Sequence, residues 1–272
     1  MELVEPAFLA DVAQFAAGSG GVAASGCRGG RARRGGGPGV GAEAIEASRA
    51  AVRRVIGNYF PLDSVLDREV PAGLPSSGRT WLVDPLGGTL NFVLGLGLWS
   101  VSVAAVQGGE VVAGAVWVPP DVLHAAWAGG PALRGGSGIR PSAVSAPEDA
   151  IVSVAVPPGL SAAGAAAVSE CVRRVGPRVR GVRVFCSVAL ELCCVASGKL
   201  DACVCPFPVP LGAAAAALVA RQAGCGVLGF DGRPYRTGES QGLLTAATPV
   251  LAEALLGLLF GIRWEEEVPD PG

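Results

Sequence analysis

The residues best placed to do chemistry lie in one short stretch, Trp81-Leu82-Val83-Asp84-Pro85-Leu86-Gly87-Gly88-Thr89-Leu90-Asn91-Phe92. An apolar run ends in an aspartate, followed by a proline-braced turn, two glycines and a threonine. A carboxylate in such a place can ligate a divalent cation, transfer a proton, or cap the turn by accepting from backbone N–H groups. The cysteines are a second candidate. Cys186, Cys193, Cys194, Cys203 and Cys205 lie in or beside apolar runs. An adjacent pair and a Cys-x-Cys do not have the spacing of zinc ligands, and the only histidine, His124, is distant in sequence. The chain is also too long to need disulfide staples, so buried free thiols are the expectation.

Composition narrows the field. A chain of 272 residues, half of them hydrophobic, can build one large unit or two fused halves around a sizeable core. Its formal net charge of -2 provides no field for nucleic acid, and none is expected as a partner. The most apolar stretch, residues 243–260, is interrupted by Thr245, Thr248, Pro249 and Glu253, which reads as a strand and a buried helix rather than a membrane span. The first residues carry acids where a secretory signal carries bases, so a cytoplasmic location is expected.

The elements that must position Asp84 follow from periodicity. Residues 5–17 and 42–58 read as amphipathic helices. Between them, residues 18–41 are rich in glycine, with a basic cluster of Arg28, Arg31, Arg33 and Arg34. That composition predicts a mobile surface loop. Apolar β runs at 100–106, 111–118 and 122–127, separated by glycine turns, predict an antiparallel meander. The second half alternates strands at 151–156, 182–185, 200–204 and 227–230 with helices at 161–175, 187–197 and 213–223, and a final strand and helix. The division falls at residues 1–140 and 141–272. Small residues at 213–217 either let neighbouring backbones approach or reflect an alanine-rich composition. Trp81, Trp99, Trp117 and Trp127, in apolar strand context, read as core.

Several segments together resemble the inositol monophosphatase family. Asp84 to Phe92 is similar to a signature that reads Asp-Pro-(Ile/Leu)-Asp-Gly-Thr followed by Asn-Phe. Phe60-Pro61 through Glu69 resembles a segment ending in Gly-Glu-Glu. Arg183 to Asp201 resembles Arg-x-x-Gly-Ser-Ala-Ala-Leu and its Gly-(Arg/Lys)-Leu-Asp continuation. Pro210 to Gly224 resembles Trp-Asp-x-Ala-Ala-Gly, and Asp231-Gly232-x-Pro234 closes the pattern. The resemblance implies a layered α-β-α-β-α sandwich of the inositol monophosphatase/fructose-1,6-bisphosphatase type, commonly a homodimer, that hydrolyses phosphate monoesters with Mg²⁺.

Carried over residue by residue, the family's metal site is incomplete. Asp84 keeps the first aspartate, the Leu86 carbonyl can keep its place, and Thr89 keeps the threonine that positions the attacking water. The second aspartate is Gly87. The Trp-Asp of the later motif is Leu211-Gly212, and the glutamate seven positions before it is Cys205. The upstream glutamate falls on Arg68, a base that would repel a cation; a one-residue shift makes Glu69 a ligand instead. Glu43 or Glu46 occupies the neighbourhood of a further aspartate in an unfixed register. No metal or other cofactor is therefore expected. What remains is a metal-independent site for a small molecule, with Asp84 and Thr89 as catalytic candidates. Leu86, Gly87, Gly88, Cys186, Ser187, Cys205, Leu211, Gly212 and Glu69 are candidate pocket residues. Asp84 would act as a proton donor in cyclase, isomerase or lyase chemistry. Two alternatives stand beside it: a non-catalytic binding protein, in which Asp84 only caps its turn, and a residual Mg²⁺-dependent hydrolase.

Overall fold

In the computed structural model, residues 4–28, 39–68, 70, 73–157 and 159–264 are described. Helices α1 (Pro6–Arg28) and α2 (Gly39–Tyr59) open the chain. Strand β1 (Ser64–Leu66) leads to β2 (Arg79–Gly87), the short helix α3 (Thr89–Leu94), β3 (Ser100–Gln107), β4 (Glu110–Val118), β5 (Val122–Trp127), β6 (Ala132–Arg134) and β7 (Ser137–Gly138). The rest runs β8 (Ile151–Val154), α4 (Ala162–Val175), β9 (Gly181–Arg183), α5 (Val188–Ala196), β10 (Ala202–Cys205), α6 (Pro210–Ala223), β11 (Gly226–Leu228), β12 (Leu243–Ala246) and α7 (Pro249–Leu259). The first seven strands form one sheet in sequence order, antiparallel except for β1 on β2. The others form a five-stranded sheet in the order β11-β12-β10-β8-β9.

Three apolar layers of contact make this a five-layer α-β-α-β-α sandwich. Along β2 to β5, alternate side chains face opposite ways. Trp81, Val83, Val101, Val103, Ala115 and Trp117 pack under α1 and α2. Leu82, Ala104, Val106, Val116 and Val118 pack against α5, α6 and the second sheet. That sheet's far face closes on α4 and α7. Because both faces of the large sheet are covered, its strands read as unbroken apolar runs. Trp81, Trp99 and Trp117 are core residues, as their context predicts, whereas Trp127 is half-buried.

The glycine-rich segment corrects the expectation of a loop. Helix α1 continues through Gly18, Gly20 and Gly21 to Arg28, and α2 begins at Gly39; residues 29–38 lie outside the described residues. Arg31, Arg33 and Arg34 lie outside the described residues. The physical reason is close packing, which outweighs glycine's low helix propensity. A Cβ on Gly21 would stand 2.2 Å from the Trp117 ring, and one on Gly20 would stand 2.8 Å from both Ser48 Oγ and Val52 Cγ2. The alanines of α6 serve the same purpose: a Cβ on Gly114 of β4 would meet the Ala215 Cα at 2.8 Å. Small residues at 213–217 therefore act by close approach.

The cysteines are free thiols. Cys171, Cys193, Cys203, Cys205 and Cys225 are buried, but Cys186 is exposed and Cys27 and Cys194 are half-buried, so the expectation of burial fails for Cys186. Its backbone has φ 55°, which turns the chain outward just before α5.

Two glycines of α1 separate packing from propensity. Gly21→Ala is expected to lower stability by about 1–3 kcal/mol through overpacking against Trp117. Gly26, with open space around it, is expected to gain up to about 1 kcal/mol on conversion to alanine. Urea denaturation of the two variants checks both signs.

Candidate active site

Asp84 owes its position to an irregularity in β2. Asp84 pairs with Ser102 and Gly87 with Ser100, so three steps on β2 match two on β3. The extra residue is a bulge, a device that bends a strand end and re-aims its side chains. Asp84 Oδ1 accepts from the Leu86 N–H at 3.2 Å. Thr89 Oγ1 donates to the Leu86 carbonyl at 2.9 Å. Gly88, at φ 82°, makes the turn into α3, and a Cβ there would stand 2.7 Å from the Leu98 carbonyl oxygen. Asn91 then ties α3 to the second half, its Nδ2 donating to Leu98 O at 2.8 Å and to Phe185 O at 2.6 Å.

Gly87 and Gly212 converge on one oxygen of Asp84. A Cβ on Gly87 would lie 2.7 Å from Asp84 Oδ2, and a Cβ on Gly212 would lie 3.1 Å from it. Residues more than a hundred positions apart are thus brought to one point by the seating of α6 on the large sheet. Ser100 Oγ lies 3.1 Å from the same Gly87 position and 3.2 Å from Ser187 Oγ, and Ser187 Oγ is 3.5 Å from the Gly87 carbonyl oxygen. Asp84 is only partly open to solvent, and enclosure pushes its carboxyl up from an ordinary 3.8 to about 6; the Leu86 N–H works the other way.

Other candidates fall less centrally. The Leu86 side chain packs in the core beneath α1 and α2, and Leu211 packs between the sheets, so neither side chain is free to line an open cleft. Cys205 is fully buried, and burial followed by nearby Glu191 raises its thiol far above the ordinary value. Arg68 is exposed and lies 3.9 Å from Glu46, an exposed acid of α2. Glu46 also bonds Arg49, and Glu43 is exposed, so neither of these acids is buried. Glu69 lies outside the described residues.

Glu191 and Ser100 were missed by the sequence reading. Glu191 is fully buried in α5, its Oε1 3.3 Å from the Ser187 N–H and its Oε2 3.8 Å from Cys203 Sγ. Burial pushes it from an ordinary 4.5 to about 7, against the lowering effect of the Ser187 N–H. The signal was available: an acid between Leu190 and Leu192, one turn after Ser187 and one turn before Val195, must share a helix face with apolar residues.

A catalytic Mg²⁺ pair needs near-octahedral shells of oxygen donors. Among the described residues no three His, Cys, Asp or Glu side chains group to hold an ion. Asp84 offers one carboxylate, and the Leu86 carbonyl already accepts from Thr89. The described donors do not fit such a pair.

Two stacked sheets between three helical layers, with an aspartate at a strand end beside a glycine turn, define the class of fold. Residues 17–262 match the inositol monophosphatase family, and the chain belongs to that family. It is 36% identical over 201 residues to the inositol-1-monophosphatase SuhB of Mycobacterium tuberculosis, covering 72% of this chain and 68% of the relative. It is 30% identical over 194 residues to the fructose-1,6-bisphosphatase/inositol-1-monophosphatase of Thermotoga maritima, covering 69% and 72%. The solved inositol monophosphatase of Anabaena superposes with a TM-score of 0.81 at 23% identity, covering 94% of this chain and 97% of that one, a likeness of fold.

The two raised carboxyls set a pH dependence of stability. Each is higher folded than unfolded, so its contribution is fully present below the unfolded value and is lost as pH rises through about 6 for Asp84 and about 7 for Glu191. Relative to the parent, Asp84→Asn and Glu191→Gln are each expected to be about 1–3 kcal/mol more favourable at pH 8 than at pH 4. Denaturant titrations at the two pH values measure this, and equal effects at both would remove the assignment.

Proposed function

We propose that this chain is an inositol-monophosphatase-like enzyme that works without a metal, using Asp84 for acid–base chemistry on a small organic molecule. The observation that carries the reading is the close approach of Gly87 and Gly212 to Asp84 Oδ2, where a Cβ on each would stand 2.7 and 3.1 Å from that oxygen and neither residue offers a side-chain ligand. Carboxylates at those two positions would add oxygen ligands beside Asp84, and with glycines there Asp84 stands as a lone acid available for proton transfer. The cleft lies between the halves 1–140 and 141–272. There the protonated Asp84 donates a proton to an olefin, carbonyl or leaving group, and its carboxylate takes one back from the product side. Thr89 holds the Leu86 carbonyl and with it the turn that aims Asp84. Ser100 and Ser187, buried and hydrogen-bonded to each other, back the turn at Gly87. The reaction class is cyclase, isomerase or lyase, of the kind specialised metabolism such as antibiotic assembly requires. The working form is a cytoplasmic homodimer.

A second reading, a non-catalytic binding protein, has its own support. Asp84 and Thr89 both spend hydrogen bonds on the Leu86 peptide, which is what a turn needs in the absence of chemistry.

Calorimetric titration with MgCl₂ and phosphate release from inositol 1-phosphate test the reading together. The parent chain is expected to show no saturable Mg²⁺ binding and no Mg²⁺-dependent release. The double variant Gly87→Asp, Gly212→Asp is expected to gain Mg²⁺ affinity and to be stabilised by the ion, since it crowds three carboxylates around one point. Metal-dependent hydrolysis by the parent, abolished in Asp84→Asn, would overturn the proposal. Conversion of biosynthetic intermediates that survives EDTA and falls by about 10²–10⁴-fold in Asp84→Asn would support it over the binding protein.

A further inference from the structure

Helix α5 starts in an unusual way. Ser187 stands at its N-cap, where a serine hydroxyl ordinarily accepts from a backbone N–H of the first turn. Ser187 makes no such bond. Its Oγ is turned away from the helix, 3.2 Å from Ser100 Oγ and 3.5 Å from the Gly87 carbonyl oxygen. Gly87 and Ser100 are themselves cross-strand partners at the end of β2. The N-cap hydroxyl of the second half is thus spent on the turn of the first.

Glu191 does the capping that remains. In a capping box the serine serves a first-turn N–H, while an acid one turn on reaches back to the N-cap N–H. Here only the second of these bonds is present: the Ser187 N–H donates to Glu191 Oε1 at 3.3 Å. The carboxyl is fully buried, with Cys203 Sγ 3.8 Å from its other oxygen. Burying an acid is costly, and one helix N–H is a small return for it. The corner it supports bears on the site from three places. Ser187 Cβ lies 3.2 Å from where a Cβ on Gly88 would stand. Phe185 O accepts from Asn91 Nδ2 at 2.6 Å. Between them Cys186 holds φ 55°, a conformation that residues other than glycine keep only where their surroundings impose it.

We infer that Glu191 is a positioning residue of the site: by serving the N-cap N–H of α5 from within the core, it frees the Ser187 hydroxyl to hold Ser100 and the Gly87 carbonyl, and so the turn that aims Asp84. The inference rests on the proposed role of Asp84, whereas its test reads the turn and needs no substrate. Without an acceptor at Glu191, the Ser187 N–H is stranded in the core. The Ser187 hydroxyl then turns back to the open N–H groups of α5, and the turn at Gly87 loses its support from the second half. A glutamine at 191 keeps an oxygen in place and spares the corner.

Residue-resolved amide hydrogen exchange provides the test. The Leu86 N–H, bonded to Asp84 Oδ1 at 3.2 Å, reports the turn, and the buried Val103 of β3 reports global opening. Glu191→Leu is expected to speed exchange at Ser187 and Leu86 by about 10-fold or more relative to Val103, the factor for one lost buried hydrogen bond. Glu191→Gln is expected to return both amides to the parent rates. Ser187→Ala keeps the acceptor at Glu191, is expected to speed Leu86 alone, and carries the test if Glu191→Leu does not fold. A Glu191 that only stabilises the core would speed the amides of α5 together and leave Leu86 at the parent rate. That pattern, or a Leu86 amide unmoved by Ser187→Ala, would overturn the inference. The expected exchange pattern in a chain that converts no intermediate would uphold the positioning and sink the proposed chemistry alone.

Discussion

Burial of the large sheet on both faces is the constraint from which the rest of this structure follows. A sheet covered on both sides needs helices that lie close and flat on it, and bulky side chains at the contact would lift them away. The chain meets this with glycine and alanine at the contact points. Gly20 and Gly21 let α1 settle onto Val101 and Trp117, and Gly114 lets α6 settle onto the other face through Ala215. Interiors at crystal-like density leave no slack for an added methyl at such points.

The site inherits its geometry from that seating. Gly212 begins α6 only two positions past its proline, and the helix lies where Ala215 meets β4. Its first turn is thereby carried to Asp84. The bulge in β2 does the complementary work from the sheet side by turning Asp84 and Gly87 toward the same point. Two backbone features far apart in sequence therefore converge on one carboxylate oxygen. The polar seam behind it, from Ser100 through Ser187 to Glu191, links the halves by hydrogen bonds rather than by charge. A buried acid without a cationic partner sits more comfortably protonated, which explains the rise of Glu191.

Family membership and the proposed change of chemistry rest on different residues. The fold is carried by apolar alternation, small contact residues and turns, which this chain shares with relatives at 30–36% identity. Catalysis in a scaffold of this kind rests on a handful of side chains at element ends, and these can change without disturbing a core. With glycine at 87 and 212, neither position puts a second charge beside Asp84, and Leu86 and Leu211 stay packed in the core.

Much of this was legible in the sequence. Apolar runs at 100–106 and 111–118 with a glycine turn between them determined the meander, and the motif around Asp84 determined which carboxylate stands at the strand end. Those signals are local, a period of two and a short run of turn residues, so they survive without tertiary context. The glycines of α1 read as a loop because composition reports flexibility, whereas only the presence of Trp117 across the contact shows that they are spacers. Arg68 fell on the register of a family glutamate because register is one-dimensional; its approach to Glu46 depends on where α2 lies. Glu191 escaped notice because an acid in a helix is ordinarily a surface residue, and its burial is decided by which face α5 turns to the core. The sequence determined the elements and the central acid. Which small residues are contacts, which charges face solvent and which oxygens meet were decided by packing between segments a hundred residues apart, information no local pattern contains.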